Sequence, residues 1–401
     1  MHAKSKYKVA LLGSHLPRQC GIATFTSDLN DALHTECGGI ESFVVAVNDV
    51  GRRYIYCDQV RYQISEGELE SYRHAAEFLN SSSVDVLCLQ HEYGVYGGEA
   101  GSHVLALLRD LRMPIVTTLH TILATPNVSQ RIVMNELIRL SERLVVMSQT
   151  GASLLSRVYQ VPKSKIDLIP HGIHDVPANP NSKSLLGLEG QSVILTFGLL
   201  SPDKGIEYLI EALPAILARF PETVYIVLGA THPHVKQSDG EAYRRSLESR
   251  AKQLGVASSV RFHDQFVSRS ELREYLSAAD IYVTPYLKPE QITSGTLAYA
   301  LGAGKAVIST PYWYAEELLA GGRGILVPWR DSEAISANVI GLLANESERS
   351  AMQARATSYT KDMAWPKVAQ QYQLCYERAV SDYRESLGTL ASNSDCRTSA
   401  E

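Results

Sequence analysis

The stretch 289–311, PEQITSGTLAYALGAGKAVISTP, decides the fold class of this chain. It reads as a polar loop, then a helix of small residues, then a short apolar run at 306–310 that is typical of a buried strand. Ser294, Gly295 and Thr296 stand where the loop opens into the helix. Because a helix N-terminus presents free N–H groups and the positive end of the dipole, this loop is a candidate anion site. The alternative is an ordinary capped helix in an α/β sheet.

Length and composition exclude several classes of protein. The chain has 401 residues, enough for two domains, with 45% hydrophobic and 20% charged residues, as in soluble globular proteins. A net charge of −5 gives no electrostatic case for a nucleic-acid partner. No apolar run reaches membrane-spanning length and no signal peptide is recognisable, so we expect no transmembrane segment. Six scattered cysteines fit free thiols, which predicts a cytoplasmic protein.

Apolar runs alternate with helical patterns along the whole chain. This order predicts an α/β protein with two doubly wound, Rossmann-like parallel-sheet domains facing a central cleft. The predicted strands of the first domain are 8–14, 43–47, 84–90, 114–119, 143–148 and 166–169. Those of the second domain are 193–197, 224–229, 260–263, 281–285, 306–310 and 324–327.

A stretch rich in Pro, Asn and Ser at 177–184 marks the expected domain boundary. We therefore predict a first domain over 1–176, a linker over 177–190 and a second domain over 191–360. A late helix over 361–384 follows. The polar tail 385–401 is expected to be disordered, because it has little apolar surface to bury.

Three histidines close predicted strands of the first domain. They are His91, which Glu92 follows, His120 and His171. In a doubly wound sheet ligands bind at the carboxyl ends of the strands, so all three are expected at the ligand-binding edge. Each histidine taken alone is ordinarily a hydrogen-bonded structural residue, whereas three at one edge indicate a binding site.

The second domain carries a second loop suited to phosphate. Lys204 precedes Gly205 directly after the predicted strand 193–197. By itself this lysine reads as a solvated turn charge. Together with the loop at 294–296 it predicts a site where a lysine and a helix dipole face a phosphate or diphosphate.

From about residue 9 to residue 376 the chain resembles the family 4 glycosyltransferases, which are retaining nucleotide-sugar enzymes of the GT-B fold related to glycogen and sucrose-phosphate synthases. The resemblance is carried by FGLLSPDKGIEYLIEALPAI at 197–216, DIYVTPYLKPEQITSGTLAYALGAGKAVIST at 280–310, GRGILVPWRD at 322–331 and IPHGI at 169–173. It implies transfer of a hexose from a nucleotide sugar (a UDP-, GDP- or ADP-hexose) to a hydroxyl acceptor, a sugar or another small molecule. It implies no cofactor.

The resemblance also implies roles for particular residues. Lys204 is expected to be catalytic and to bind the donor diphosphate, with backbone N–H groups of the 294–296 loop. His120 is expected to be catalytic beside the transferred sugar, and Gly21 to lie in a flexible loop between donor and acceptor. The first domain would be the acceptor side and the second the donor side, with the helix of Trp365 crossing back to the first. Other residues expected on the acceptor side or in the cleft are Arg18, His91, Glu92 and His171.

The donor half departs from the family pattern. The two positions of its Glu-x7-Glu signature are Gln291 and Tyr299, with Glu290 one residue early. These three residues are the expected contacts to the donor sugar or ribose, and Tyr299 should fill space beside the ribose. Leu199 replaces the usual arginine. An aromatic patch at 312–314 either stacks on a sugar face or packs in the core.

No two aspartates stand two residues apart, so the acidic pair of many metal-dependent nucleotide-sugar enzymes is missing and no metal site is expected. In a retaining transfer the leaving diphosphate can take the acceptor proton, and the protein stabilises the departing charge. Two alternatives stay open. One is a retaining glycoside phosphorylase that uses phosphate or a sugar 1-phosphate, and the other is a non-catalytic protein that binds sugar nucleotides.

Overall fold

The computed structural model describes residues 7–177 and 179–398, with side chains as far as residue 388. The chain divides into two compact units. The first runs to Gly172 and resumes at Trp365, and the second is Ile173–Ala364. In the described ranges, no helix is long and apolar enough to cross a membrane.

The first unit is built around one parallel sheet. Its strands are β1 (Tyr7–Gly13), β2 (Ile40–Asn48), β3 (Val60–Ser65), β4 (Val86–His91), β5 (Ile115–Leu119), β6 (Arg143–Val146) and β7 (Ile166–Leu168). Its helices are α1 (Gly21–Glu36), α2 (Leu69–Ser81), α3 (Val104–Arg109), α4 (Val128–Leu140), α5 (Gln149–Val158) and the C-terminal helix α15 (Trp365–Thr398).

The strand order of this sheet is β3-β2-β1-β4-β5-β6-β7. The order reverses between β1 and β4, so the chain leaves these two neighbouring strands in opposite lateral directions. A crevice opens at such a switch point beyond the carboxyl ends of the strands. The central strands are largely buried on both faces, which explains why most of their residues are apolar.

The second unit repeats the plan. Its strands are β8 (Ser192–Phe197), β9 (Thr223–Leu228), β10 (Val260–His263), β11 (Ile281–Thr284), β12 (Ala306–Ser309) and β13 (Ile325–Leu326), in the parallel order β10-β9-β8-β11-β12-β13. Its helices are α6 (Ser182–Leu185), α7 (Ile206–Arg219), α8 (Pro233–Asp239), α9 (Ala242–Gln253), α10 (Arg269–Ala278), α11 (Gly295–Gly302), α12 (Trp313–Leu319), α13 (Ser332–Ala344) and α14 (Glu346–Thr360). Here the switch point lies between β8 and β11, so the loops that follow these strands are neighbours.

The predicted fold class, two doubly wound parallel-sheet units, is confirmed. One strand of the first sheet was missed, since β3 is an edge strand with alternating burial that lacks a continuous apolar run. The residues predicted to form a linker, 177–190, belong to the second compact unit. Asn179 and Ser182 both donate to the Glu274 carboxylate on α10 (3.0 and 2.8 Å), which holds this segment on the second unit.

The predicted disorder of the tail is wrong as far as Thr398, because α15 continues to that residue. Once a helix is nucleated, each further residue adds a hydrogen bond, so a polar extension can follow an anchored start. The anchor is the first part of α15, where Trp365, Tyr372 and Tyr376 are buried in the core of the first unit. Residues 399–401 of the predicted tail lie outside the described residues.

Candidate active site

The loop after β8 in the second unit forms a tight turn that ends at Lys204. Residues Pro202–Lys204 make one 3-10 turn, and Gly205 then adopts the left-handed conformation (φ 60°, ψ 26°) before α7 begins. A Cβ at Gly205 would lie 2.2 Å from the carbonyl oxygen of Pro285, and Leu287 N donates to Asp203 O (2.8 Å). The turn is thereby held against the segment that follows β11.

Lys204 rests on the side chain of Tyr286. Its ammonium nitrogen is 3.8 Å from the centroid of the Tyr286 ring, a cation–π arrangement. Within the part of the chain that the structure describes, Lys204 forms no ion pair. The site therefore keeps a positive charge that no carboxylate neutralises. Sequence reasoning missed Tyr286, whose only signal is its place just after a buried strand.

The hydroxyl of Tyr286 connects this lysine to the second predicted loop. It is hydrogen-bonded to the Thr296 hydroxyl (2.9 Å), which lies 3.2 Å from the Ser294 hydroxyl. Ser294 caps α11 by accepting from Leu297 N (3.3 Å). Gly198 leaves room for this approach, since a Cβ there would be 3.1 Å from the Thr296 methyl group. The structure thus brings together the two loops that the sequence nominated for phosphate.

The expected contacts to donor sugar or ribose are distributed differently. Gln291 is partly buried and donates to Thr293 O (2.9 Å), within its own loop. Glu290 is exposed. Tyr299 lies on α11, one turn beyond Thr296, and its ring stacks parallel to His174 with centroids 5.9 Å apart. Tyr299 also packs on the core of the second unit, so part of its volume serves packing.

The aromatic patch at 312–314 divides into two parts. Tyr312 and Tyr314 are fully buried and belong to the core of the second unit. These two rings therefore pack in the core and are not available to stack on a sugar. Tyr312 stacks on Tyr286 with centroids 5.6 Å apart, so it supports the ring that carries Lys204. Trp313 alone is partly exposed.

In the first unit, the loop after β1 runs into α1. Cys20 is the N-cap of α1 and accepts from Ala23 N (3.3 Å). Gly21 is the first residue of the helix; it is exposed, and a Cβ built there meets nothing within 4 Å. Packing within this unit therefore does not require a glycine. Arg18 is buried, pairs with Asp49 (2.7 Å) and donates to Val47 O, so it braces the loop.

His120 and His171 meet at one aromatic ring. Both pack edge-on against Phe25 of α1, with centroid separations of 4.9 and 5.1 Å. Trp365, the first residue of α15, packs on the same ring at 5.3 Å. His120 Nε2 is hydrogen-bonded to Gln90 Oε1 (3.0 Å), and His171 Nδ1 to Gly172 O (2.8 Å). These contacts hold both imidazoles at the carboxyl edge of the sheet.

His91 is the most deeply buried of the three histidines. It has no exposed surface, and within the described residues neither ring nitrogen has a hydrogen-bond partner. Burial lowers its pKa from 6.5 to about 3. Burial also lowers the pKa of His120 to about 3, with further contributions from His171 and His91. Both imidazoles are neutral at physiological pH. Glu92, the next residue, accepts from the Thr121 hydroxyl.

We predict that acid destabilises the protein through these histidines. The unfolded chain binds a proton near pH 6.5 and the folded chain only near pH 3, so stability is full above pH 6.5 and falls as the pH drops through this window. At pH 5 each histidine should cost about 2 kcal/mol of unfolding free energy. Urea unfolding at pH 8 and pH 5 should show a smaller loss for His91→Leu than for wild type. The exposed His34→Leu is the matched control, and an equal loss in all three proteins would contradict the prediction.

Two doubly wound units, one with an unneutralised lysine that Tyr286 connects to a capped helix N-terminus, are the arrangement expected for a glycosyltransferase of the GT-B class. Comparison with known proteins agrees. The family model described as Glycosyltransferase Family 4 matches residues 20–175, and the model described as Glycosyl transferases group 1 matches residues 191–345. Glycosyltransferase models therefore match both units, and the chain is a family 4-type glycosyltransferase.

Curated relatives share about a quarter of their residues with this chain. A phosphatidyl-myo-inositol mannosyltransferase of Mycolicibacterium smegmatis is 28% identical over 312 residues, which cover 77% of this chain and 74% of that protein. A D-inositol 3-phosphate glycosyltransferase of Corynebacterium glutamicum is 27% identical over 304 residues, 69% of each chain.

Solved structures agree on the fold. Sucrose-phosphate synthase from Thermosynechococcus elongatus superposes with a TM-score of 0.77 at 17% identity, covering 94% of this chain and 100% of that one. Anabaena HepE, solved in complex with UDP and glucose, gives a TM-score of 0.74 at 16% identity and covers 93% of this chain and 100% of that one. The chain therefore has the GT-B fold.

Proposed function

We propose that this glycosyltransferase moves a hexose from a nucleotide sugar to a hydroxyl acceptor, with retention of the anomeric configuration and without a metal ion. The observation that carries the proposal is the Lys204 ammonium, which has no carboxylate partner in the described residues and lies over Tyr286, whose hydroxyl is bonded to Thr296 at the N-terminus of α11. A diphosphate is the donor group that this combination suits, because the lysine supplies charge and the helix supplies N–H groups.

In the proposed reaction the main contribution of the protein is to stabilise the negative charge of the leaving group. As the glycosidic bond to the diphosphate breaks, negative charge grows on the leaving oxygen. Lys204 and the free N–H groups of α11 stabilise that charge, and the leaving oxygen accepts the proton of the attacking hydroxyl on the same face of the sugar. The missing aspartate pair and the available lysine charge together support metal independence.

The first unit is the proposed acceptor side. Its carboxyl edge presents the neutral imidazole of His120, with His171 on the same Phe25 ring, near the start of α1, where the exposed Gly21 leaves open space. A neutral imidazole can accept from a hydroxyl or donate to one. Because relatives act on inositol-bearing acceptors, myo-inositol and its phosphates are the first acceptors to test. The free cysteines of the described chain support a reducing, cytoplasmic setting.

The test begins with a thermal-shift screen of UDP-, GDP- and ADP-sugars, sugar 1-phosphates and free sugars. The stabilising nucleotide sugar is then incubated with each acceptor in the presence of chelator. We expect transfer to survive the chelator, and NMR of the fresh product to show the anomeric configuration of the donor. Activity that is lost in chelator and restored by manganese, or an inverted product, would refute the proposal.

A retaining phosphorylase is the second candidate, and the placement of Tyr299 is what favours it. At the family's second glutamate position this chain has a ring stacked on His174, so the carboxylate implied for the ribose is missing. A phosphorylase needs no ribose contact. Stabilisation by a sugar 1-phosphate but by none of the nucleotide sugars would replace the first proposal with this one.

A further inference from the structure

We propose that Tyr286 is a positioning residue that holds Lys204 as an unneutralised cation at the donor phosphate site. This inference rests on the proposed function, in which Lys204 contacts the donor diphosphate. Tyr286 is 2% exposed and lies two residues after the end of β11, at the switch point of the second unit, where the loops after β8 and β11 are neighbours.

The aromatic ring of Tyr286 orients the Lys204 ammonium. The Lys204 ammonium lies 3.8 Å from the ring centroid, close enough for a direct cation–π attraction. A carboxylate at the same place would hold the lysine more strongly, but it would also cancel the charge that an incoming phosphate needs. An aromatic face orients the ammonium while leaving its net charge available. The arrangement therefore suits a lysine that must bind an anion and release it again.

The hydroxyl of Tyr286 connects this ring to α11. It bonds to Thr296 at the start of α11, so one side chain touches both the lysine and the helix N-terminus. The ring itself is fixed, because it stacks on the fully buried Tyr312 at 5.6 Å. A displacement of Tyr286 would consequently change the distance between Lys204 and the N–H groups of α11. The structure thus assigns to Tyr286 the task of keeping the two phosphate-binding groups in register.

The experiment distinguishes the contribution of the Tyr286 ring from that of its hydroxyl, and distinguishes both from a general loss of stability. Tyr286→Phe keeps the ring and loses the hydroxyl, whereas Tyr286→Leu loses both. Tyr275→Leu is the matched control, because Tyr275 is a buried tyrosine of the same core that bonds His263 and does not touch Lys204. Each variant is made in the full chain with and without Lys204→Ala. The readouts are the melting temperature, the calorimetric Kd of inorganic pyrophosphate, and kcat and KM with the donor that supports transfer.

In the wild-type background, Tyr286→Leu should lower kcat and pyrophosphate affinity on the order of tenfold, and Tyr286→Phe by roughly threefold or less. In the Lys204→Ala background, Tyr286→Leu should change either quantity by less than about twofold, because the group it positions is gone. The effect should fall mainly on kcat, since the leaving charge grows in the transition state. Tyr275→Leu should leave both readouts within about twofold of wild type.

Three outcomes would overturn the inference. The first is an equal loss from Tyr286→Leu with and without Lys204, which would make the two residues independent. The second is a loss no larger than that of Tyr275→Leu, and the third is a loss from Tyr286→Phe as large as from Tyr286→Leu. The proposed function fails separately, when Lys204→Ala itself leaves both kcat and pyrophosphate binding unchanged.

Discussion

Lys204→Ala should lower kcat by on the order of a hundredfold or more while the protein keeps its melting temperature within a few degrees. A preorganised contact to charge that develops in the transition state is typically worth about 2.7–4 kcal/mol of barrier. In the proposed function Lys204 is such a contact, because its ammonium forms no ion pair in the described chain and lies over the Tyr286 ring. Removing it deletes a partly exposed side chain and leaves the core intact, so folding should be little affected.

The measurement is steady-state kinetics with the donor identified by the ligand screen, together with a thermal melt. Lys236→Ala is the control, since Lys236 is an exposed lysine of the same unit that pairs with Glu241 (3.0 Å). It should keep near-full kcat. If Lys204→Ala folds normally and also keeps near-full kcat, then Lys204 is a solvated turn charge and the loop carries no catalytic function.

The fold was predictable because buried parallel strands leave a strong pattern in the sequence. β1 and β4 each contain an apolar run, VALL at 9–12 and VLCL at 86–89, which is enough to recognise them from the sequence. β3 was missed because it lies at the sheet edge, where one face is exposed and polar residues interrupt the run. Short polar segments such as 177–190 can be assigned only from their partners, and those partners stand about 90 residues later in the sequence.

The two loops of the candidate site could be predicted from the sequence, but the side-chain contacts between them could not. Ser294, Thr296 and Lys204 were nominated because helix caps and lysine-glycine turns have local signatures. Tyr286 has only its place after a buried strand as a signal, since its proposed role depends on the contact between its ring and Lys204 in another loop. Arg18 has a second contact that the sequence does not indicate. Its ion pair with Asp49 comes from a different strand end, and only the structure reveals that its charge is already used.

Gly205→Ala should lower the unfolding free energy by about 3 kcal/mol and also displace Lys204. Two costs combine at this position. An alanine in the left-handed conformation costs about 1–2 kcal/mol, and Gly205 has φ 60° and ψ 26°. The new Cβ would also stand 2.2 Å from the Pro285 carbonyl oxygen, a backbone atom that cannot rotate away.

Gly255→Ala separates these two costs. Gly255 also has a positive φ of 70°, but a Cβ there meets nothing within 4 Å. Denaturant unfolding of the full chain should therefore show a loss of about 1 kcal/mol for Gly255→Ala, against about 3 kcal/mol for Gly205→Ala. Equal losses would mean that the turn can move away from Pro285 without cost. The turn is hydrogen-bonded to Leu287, next to Tyr286, so we expect relief of the clash to move Lys204 away from the Tyr286 ring. The folded fraction of Gly205→Ala should consequently have a lower kcat, whereas Gly255→Ala should not.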